Sequence, residues 1–424
     1  MLYYLNCYPK KESEQKFINS SFITHHSSLF YGGFYMNLFE KANECLMHTY
    51  APLPIVITHG EGSCLFDENN KKYIDFTSGI GVNSVGYNNK KLNEAILNQL
   101  NSFTHLSNIF LSTPTVELAD KLTKVSKMSK VFFANSGAEA NEGALKLAKK
   151  YSLMKYGEKR NKILSLKDSF HGRTLATLTA TGQDKFHKYF APFPEGYDYV
   201  IPNSLEDFKE KLTDDVCAVI MEAIQGEGGV NLLDSAFVKD VCKICKEKDV
   251  LVIFDEVQCG LGRTGHLFGF QEFCVEADII TLAKGLGGGL PIGAILCNEK
   301  LADTFAPGDH GSTFGGNPVV CAGAMAVIDQ ICNDNLLSSV QAKGKLIRET
   351  LLKADLPLVK NIRGLGLMIG IEVSCPPAEI QKKALENGLL VLTAGKNVVR
   401  LLPPLTISES ELKEGINILV QALK

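Results

Sequence analysis

The chain has 424 residues, more than one ordinary domain holds, so we expect two or three domains. Hydrophobic residues make up 45% and charged residues 21%, a composition typical of a globular protein with a sizeable core. The net charge of −3 and the lack of an apolar run near the roughly 20 residues of a membrane span disfavour nucleic-acid and membrane partners. Twelve cysteines are scattered without a dense framework, which favours a reducing cytoplasm.

The first 35 residues differ from the rest of the chain. They show no helical or strand period and lack the long apolar core of a signal peptide. A helical pattern then begins at Met36 and covers 36–49. The codons for Gly32-Gly33, just before it, can contain a ribosome-binding sequence in the messenger RNA. We therefore expect 1–35 to be an unstructured leader with Met36 as the true start, and a flexible N-terminal arm is the alternative.

The two ends of the remaining chain predict a small α+β domain. After the helix, two short strands near 63–67 and 71–76 are joined by a turn at Asn69-Asn70. From about 340 the pattern reads helix, strand, helix, strand and helix. We expect the segments 36–85 and 330–424 to pack together as this domain.

Between them, the segment 86–329 alternates strands and helices. Apolar strands are predicted near 130–134, 162–166, 217–222, 250–254, 278–282 and 291–297, and helices near 137–156, 204–212, 235–248 and 316–333. This alternation predicts a large α/β domain with a mostly parallel sheet flanked by helices. In such sheets ligands bind beyond the carboxyl ends of the strands.

Two of these strands end on charged residues. Val250–Phe254 is followed by Asp255, and the run that ends at Ala283 is followed by Lys284, whose flanks offer no polar face. A desolvated lysine has a depressed pKa and attacks carbonyls. Asp255 also resembles the magnesium residue of a nucleotide hydrolase, but no G-x-x-x-x-G-K-[ST] loop occurs. The remaining role is a carboxylate partner for a cationic ligand atom, such as a protonated pyridine nitrogen.

Other motifs admit two interpretations each. Ser136-Gly137-Ala138 opens a helix after a strand and suits a phosphate or a plain helix cap. Phe170 could stack on a flat ligand and Arg173 could clamp a carboxylate, or they could be a core and a surface residue. The loop 310–318 could supply hydroxyls to an anion or could be a turn and cap. Cys242 and Cys245 lie on a predicted amphipathic helix, which favours a structural role, and we predict no metal site.

Together, in this order, the motifs resemble the class III, fold-type I pyridoxal-phosphate aminotransferases. The resemblance covers nearly all of 36–424 and is carried by SGAEANE (136–142), FHGRT (170–174), QGEGG (225–229), DEVQ (255–258), Lys284 and HGSTFGGNP (310–318). It implies pyridoxal 5′-phosphate as cofactor, a mostly parallel seven-stranded sheet in the large domain, and the small α+β domain.

The resemblance also implies the cofactor contacts. Lys284 would hold the cofactor covalently and later move the proton between substrate and cofactor carbons. Asp255 would pair with the ring nitrogen, Gln258 would contact the ring hydroxyl, and Phe170 would stack on the ring. The phosphate would be bound by Ser136, Gly137 and Ala138, and by Thr313 from the neighbouring subunit of a homodimer with its active sites at the interface.

For substrates, the resemblance implies two carboxylate clamps. Arg173 would bind the α-carboxylate of acetylornithine or the γ-carboxylate of glutamate. Arg400 would bind the α-carboxylate of glutamate or 2-oxoglutarate, and Glu227 would mask it while the amine donor is bound. Ser312 would lie beside the donor. From sequence alone it does not follow that Glu227 and Arg400 meet.

The implied activity is transfer of the δ-amino group of N2-acetyl-L-ornithine to 2-oxoglutarate, giving N-acetyl-L-glutamate 5-semialdehyde and L-glutamate, in cytoplasmic arginine biosynthesis. Ornithine δ-transamination is the alternative, and it is less favoured because the segment 78–83 lacks the aromatic residue that ornithine enzymes usually carry. Transamination of 4-aminobutyrate is also less favoured, because the enzymes for that substrate commonly have Tyr where Phe170 stands. Succinyl-diaminopimelate transamination stays open. A catalytically silent scaffold on this fold would have lost Lys284 or Asp255, and both are present.

Overall fold

A computed structural model describes residues 38–333 and 335–424. The predicted leader 1–35 and the proposed start at Met36 lie outside the described residues. The chain divides after Ile55 into two units. The described part of the first unit contains the helix Leu38–Cys45, which ends four residues before the predicted 49. Its last turn has no basic residue to offset the helix dipole.

The second unit, Val56–Lys424, is built around a seven-stranded sheet within the described residues. Its strands in spatial order are Lys130–Ala134, Gly293–Cys297, Ile279–Leu282, Leu251–Asp255, Val216–Met221, Lys162–Leu166 and Tyr197–Val200. Gly293–Cys297 runs antiparallel to both neighbours and the other pairs are parallel. The mostly parallel sheet is confirmed. The strand Tyr197–Val200 was not predicted, because its half-buried sequence YDYV mixes polar and aromatic residues at the sheet edge.

Helices cover both faces of this sheet. They are Lys90–Leu100, Thr113–Ser126, Gly137–Tyr156, Leu175–Ala180, Asp184–His187, Leu205–Lys211, Ser235–Lys248 and Pro318–Asn333, with 3-10 turns at Gly269–Phe273, Lys284–Gly287 and Glu299–Leu301. Alternate strand residues serve opposite faces. Ile253 packs with Ala144 and Ala148 of the Gly137–Tyr156 helix, whereas Val252 and Phe254 join the larger core on the other face. The small alanine side chains let this helix pack closely against the sheet.

The N- and C-terminal parts of the second unit share a sheet. Strands Ile57–Glu61, Cys64–Asp67 and Lys72–Asp75 form a meander, and Leu389–Leu390 pairs parallel with Lys72–Asp75. A second four-stranded sheet contains Val359–Leu365, Met368–Val373, Val398–Leu401 and Leu392–Ala394.

The remaining elements surround these two smaller sheets. They are the helices Leu336–Lys353, Pro377–Glu386 and Glu409–Leu423, the helical turn Ser78–Gly81, and the strand pair Ile224–Gln225 with Asn231–Leu232. The expected fold class, a large α/β domain with a small α+β domain, is confirmed, while the boundaries at 85 and 329 stay predictions. None of the helices in the described part of the chain is long and apolar enough to cross a bilayer.

Candidate active site

A cavity of about 440 Å³ opens where the parallel strands of the large sheet end. Nine of the twelve predicted site residues line it: Ser136, Gly137, Ala138, Phe170, Arg173, Glu227, Asp255, Gln258 and Lys284. The register of the central strands explains part of this convergence. Asp255 pairs with Thr281 on the adjacent strand, and Lys284 follows three residues later. The cavity has the size of a typical small-molecule site.

Lys284 begins a 3-10 turn two residues after the last residue of its strand and has a left-handed backbone, with φ of +39°. Such a conformation in a residue other than glycine costs about 1–3 kcal/mol and is found mostly at functional sites. The next position, Gly285, has no room for a side chain, because a Cβ there would lie 2.6 Å from Ser84 Oγ. Desolvation lowers the pKa of the Lys284 amine, with the charge of Arg400 acting in the same direction and that of Glu227 opposing it. The amine is therefore suited to attack a carbonyl carbon.

The Asp255 carboxylate is buried and held by three donors. Oδ2 accepts from His171 Nδ1 at 2.8 Å and from Asn141 Nδ2 at 2.7 Å, and Oδ1 accepts from the Val257 amide at 3.0 Å. The Asn141 side-chain oxygen in turn accepts from Thr281 Oγ1 at 2.7 Å. This network fixes an anion in the wall of the cavity, where a cationic ring atom could meet it.

Neither His171 nor Asn141 was assigned a role from sequence. His171 directly follows Phe170, and Asn141 lies one turn into the Gly137–Tyr156 helix. For Asn141 the sequence did contain a signal, because a polar residue stands at a helix position that must face the sheet. His171 Nε2 has no hydrogen-bond partner within the described residues.

The start of the Gly137–Tyr156 helix forms another wall of the cavity. Ser136 caps it by accepting from the Glu139 amide at 3.2 Å. The first amides of a helix, here Gly137 and Ala138, have no acceptor inside the helix and point toward its N-terminal end. A Cβ on Gly137 would lie 2.7 Å from Val257 Cγ1, so only glycine fits this close approach. These amides and the helix dipole suit a phosphate.

Glu227, Gln258 and Arg400 form a connected group. Arg400 Nη1 donates to Glu227 Oε1 at 2.6 Å and to Gln258 Oε1 at 3.0 Å, and Gln258 Nε2 lies 3.3 Å from Glu227 Oε1. Burial alone would raise the pKa of Glu227, but the charge and hydrogen bond of Arg400 hold that pKa below its usual value. Arg400 itself is buried and does not line the cavity, whereas Glu227 and Gln258 do. The structure thus shows that Glu227 and Arg400 are in contact, which the sequence alone could not establish.

Arg173 lines the cavity with its side chain exposed. Its guanidinium carbon lies 4.2 Å from the ring centroid of Phe186, a residue that sequence reasoning missed. Nothing in the FHKYF segment distinguishes Phe186 from its aromatic neighbours before the fold is known.

Glu222 also lines the cavity and was not assigned a role. It accepts from the Phe170 amide at 3.1 Å. Burial, followed by the charge of Asp255, raises the pKa of the Glu222 carboxyl well above its usual value.

Ser312 and Thr313 do not line this cavity. Ser312 Oγ accepts from Asn135 Nδ2 at 3.0 Å and from the Gly315 amide at 2.9 Å, which fixes the loop. Thr313 and the following Phe314 are exposed.

The assembled cavity suits a flat, cationic ring that carries a phosphate and a carbonyl. The helix start can take the phosphate, Asp255 the ring cation, Phe170 the ring face and Lys284 the carbonyl carbon. Arg173 and Arg400 are two guanidinium groups that could bind carboxylates, the first open to the cavity and the second covered by Glu227.

Residues 46–423 match the family model "Aminotransferase class-III". The chain is 51% identical over 391 residues to an acetylornithine aminotransferase of Caldanaerobacter subterraneus subsp. tengcongensis, covering 92% of this chain and 99% of that protein. Among solved structures it is similar to the ornithine aminotransferase of Toxoplasma gondii, with a TM-score of 0.88 and 30% identity over 91% of this chain and 94% of that one. Acetylornithine aminotransferase from Elizabethkingia anophelis gives a TM-score of 0.81 and 33% identity, covering 91% and 97%.

Proposed function

The chain belongs to the class-III aminotransferases, and from this premise we propose that it transfers the δ-amino group of N2-acetyl-L-ornithine reversibly to 2-oxoglutarate. The products are N-acetyl-L-glutamate 5-semialdehyde and L-glutamate, as in arginine biosynthesis. One observation carries the proposal: Arg173 lines the cavity and is open to it, whereas Arg400 lies behind Glu227, which lines the cavity and accepts from Arg400 Nη1 at 2.6 Å. This arrangement suits two substrates that differ by one carboxylate.

Pyridoxal 5′-phosphate is the cofactor, and the residues present fit it. The amides of Gly137 and Ala138 would bind its phosphate, with Ser136 shaping that helix start. Asp255 would hold the ring nitrogen protonated, Phe170 would stack on the ring, and Gln258 would contact the ring hydroxyl. When bound, the cofactor supplies an aldehyde that takes up amino groups and a protonated ring that withdraws electrons from the substrate carbon.

Lys284 has two tasks in this proposal. Its desolvated amine would hold the cofactor covalently through the aldehyde carbon, with the aldehyde oxygen leaving as water, since the lowered pKa favours the neutral, nucleophilic form. With the cofactor and substrate in place, the same amine would act as base and then acid for the proton that leaves the substrate carbon. The His171–Asp255–Asn141 network keeps the counter-ion of the ring in place throughout.

The two arginines divide the carboxylates. Arg173 takes the α-carboxylate of acetylornithine or the γ-carboxylate of glutamate, in a bidentate geometry that suits a guanidinium. With acetylornithine bound, Glu227 stays on Arg400. With 2-oxoglutarate or glutamate, the α-carboxylate replaces Glu227 on Arg400, so the two substrates use one cavity in turn.

We also propose a cytoplasmic homodimer. Exposed apolar side chains concentrate at Ile109, Phe110 and Leu111, which are 86%, 63% and 87% accessible. Asn108 Nδ2 ties this segment to the active-site loop through the carbonyls of Ser312 and Gly315 at 3.1 and 3.0 Å. An apolar patch of this kind typically marks a protein interface. In the dimer, Thr313 completes the phosphate site of the other subunit with its hydroxyl.

The proposed cytoplasmic location of the protein is supported by its cysteines. The eleven cysteines in the described part of the chain are all free, which suits a reducing compartment.

A donor panel tests the function. The cofactor-loaded enzyme is mixed with acetylornithine, ornithine, succinyl-diaminopimelate or 4-aminobutyrate without an acceptor, and the rate of change of the cofactor absorption band is measured for each. We expect the largest second-order rate constant with acetylornithine. A larger constant with ornithine, the donor named for the Toxoplasma gondii neighbour, would replace the proposal by ornithine δ-transamination.

A further inference from the structure

We propose that Phe186 is a positioning residue for substrate recognition: its ring holds the Arg173 guanidinium with its N–H donors open to the cavity. The distal carboxylate of either substrate then meets a clamp that is already oriented. The proposal rests on the function given to Arg173 above and adds a specificity role for a residue outside the cavity.

Two aromatic rings and one cation lie in contact at this place. The Arg173 guanidinium carbon lies 4.2 Å from the Phe186 centroid and 5.5 Å from the Phe170 centroid. The two rings meet edge to face, with centroids 5.6 Å apart and planes at 74°. Both cation distances lie within the range of cation–π attraction, and the shorter one belongs to Phe186.

Stacking and carboxylate binding use different parts of a guanidinium. The aromatic ring attracts the cation as a whole, whereas the N–H donors of arginine lie in the guanidinium plane and point outward. Arg173 can therefore rest on Phe186 and still offer a bidentate edge to a carboxylate. Across 38–333 and 335–424, no carboxylate is recorded in an ion pair with Arg173, in contrast to Arg400, which is held by Glu227.

Phe186 acts through Arg173 because it does not line the cavity, whereas Arg173 and Phe170 do. The short helix that carries it, Asp184–His187, is anchored on both sides. On one side the Phe186 amide donates to the Gln183 carbonyl at 3.0 Å, and Gln183 Nε2 donates to the Ser169 carbonyl at 3.0 Å. Ser169 directly precedes Phe170, so the ring that supports the clamp is tied to the ring that would stack on the cofactor.

On the other side, His187 Nε2 lies 2.9 Å from the Leu178 carbonyl. Lys185 also places its ammonium 4.8 Å from the Phe186 centroid. Lysine is a flexible point charge without the planar fork of arginine, so it adds positive potential but cannot replace the bidentate clamp.

The test uses glutarate, a dicarboxylate without an amino or keto group, titrated calorimetrically into the cofactor-loaded enzyme. Phe186→Leu keeps an apolar side chain and removes the aromatic face, and Phe186→Tyr restores that face. We expect Phe186→Leu to weaken glutarate binding about two- to fivefold, the worth of an exposed cation–π contact. Phe186→Tyr should bind like the wild type. Phe190→Leu, an exposed ring in the same segment without a recorded contact to Arg173, is the matched control and should change nothing.

A double-mutant cycle shows whether Phe186 works through Arg173. In an Arg173→Ala background, Phe186→Leu should have no further effect on glutarate affinity. In turnover, Phe186→Leu should raise KM for both acetylornithine and 2-oxoglutarate and leave kcat nearly unchanged, whereas general damage to the fold would lower kcat.

Two results would overturn the inference. An equal loss on Phe186→Leu with and without Arg173 would mean that the ring acts on something else. Tighter glutarate binding by Phe186→Leu would mean that the ring holds Arg173 away from the substrate. Failure of the proposed function is separately visible, because a wild type that binds glutarate and shows the coupling but ignores acetylornithine would contradict only the substrate assignment.

Discussion

Replacing Glu227 by alanine removes the carboxylate that covers Arg400. Under the proposed function, glutamate must displace Glu227 before its α-carboxylate can reach Arg400, whereas acetylornithine leaves the pair intact. The variant should therefore favour glutamate and other α-amino donors over acetylornithine. The uncovered Arg400 should also attract the carboxylate of acetylornithine into an unproductive position.

The size of the effect follows from the burial of the ion pair. Fully exposed pairs contribute about 0–1 kcal/mol, and losing one partner of a fully buried pair costs about 3–5 kcal/mol. The Arg400 side chain is 2% accessible and that of Glu227 is 29%, with a contact of 2.6 Å. The pair lies between these limits, at about 2 kcal/mol, which corresponds to about a 30-fold change. The ratio of kcat/KM for glutamate to that for acetylornithine should rise by up to this factor.

The assay measures both half-reactions at the cofactor absorption band under single-turnover conditions. Asp207→Ala provides a control, because it removes a partly buried ion pair with Lys211 from a helix that does not line the cavity. That control should leave the donor ratio unchanged. A donor ratio in Glu227→Ala equal to that of the wild type would refute the masking role of Glu227.

Three further changes have defined outcomes. Arg173→Ala should lower kcat/KM for acetylornithine and for 2-oxoglutarate alike, about 10- to 100-fold, since both substrates lose a charge-assisted carboxylate contact. A loss in the acetylornithine half-reaction alone would contradict the role proposed for Arg173. Leu111→Asp should shift the molar mass in light scattering toward the monomer and weaken cofactor retention, and an intact dimer would exclude this segment from the interface. Burial raises the pKa of Glu256 from 4.5 to about 8, so its stabilising contribution is present below pH 4.5 and is lost as the pH rises toward 8. The free energy of unfolding of the wild type relative to Glu256→Gln should therefore fall by up to about 1.4 kcal/mol per pH unit in that window, and a pH-independent difference measured by urea denaturation would contradict this.

The sequence predicted those site residues whose position depends only on where one strand ends or one helix begins. Asp255 and Lys284 stand where an apolar strand stops, and parallel strands bring such positions to one edge of the sheet. The helix over 137–156 was predicted with the observed bounds, because Ser136 is a favourable N-cap and small residues follow it.

Sequence reasoning failed where a role depends on a contact between distant segments. His171 and Asn141 meet on Asp255 although Asp255 is 84 and 114 residues further along the chain. Phe186 supports Arg173 only because its short helix folds back onto the segment before Phe170. Polar and aromatic residues at such positions look like surface or core residues until the fold joins them.

The most direct test of the central claim is to find which lysine carries the cofactor. The loaded enzyme is reduced with borohydride, digested, and analysed by mass spectrometry for a pyridoxyl-modified peptide. The account predicts that the modification falls on Lys284 and that Lys284→Ala gives neither the modified peptide nor the visible absorption band. Modification of a different lysine, or a wild type that stays colourless after addition of pyridoxal phosphate, would contradict it.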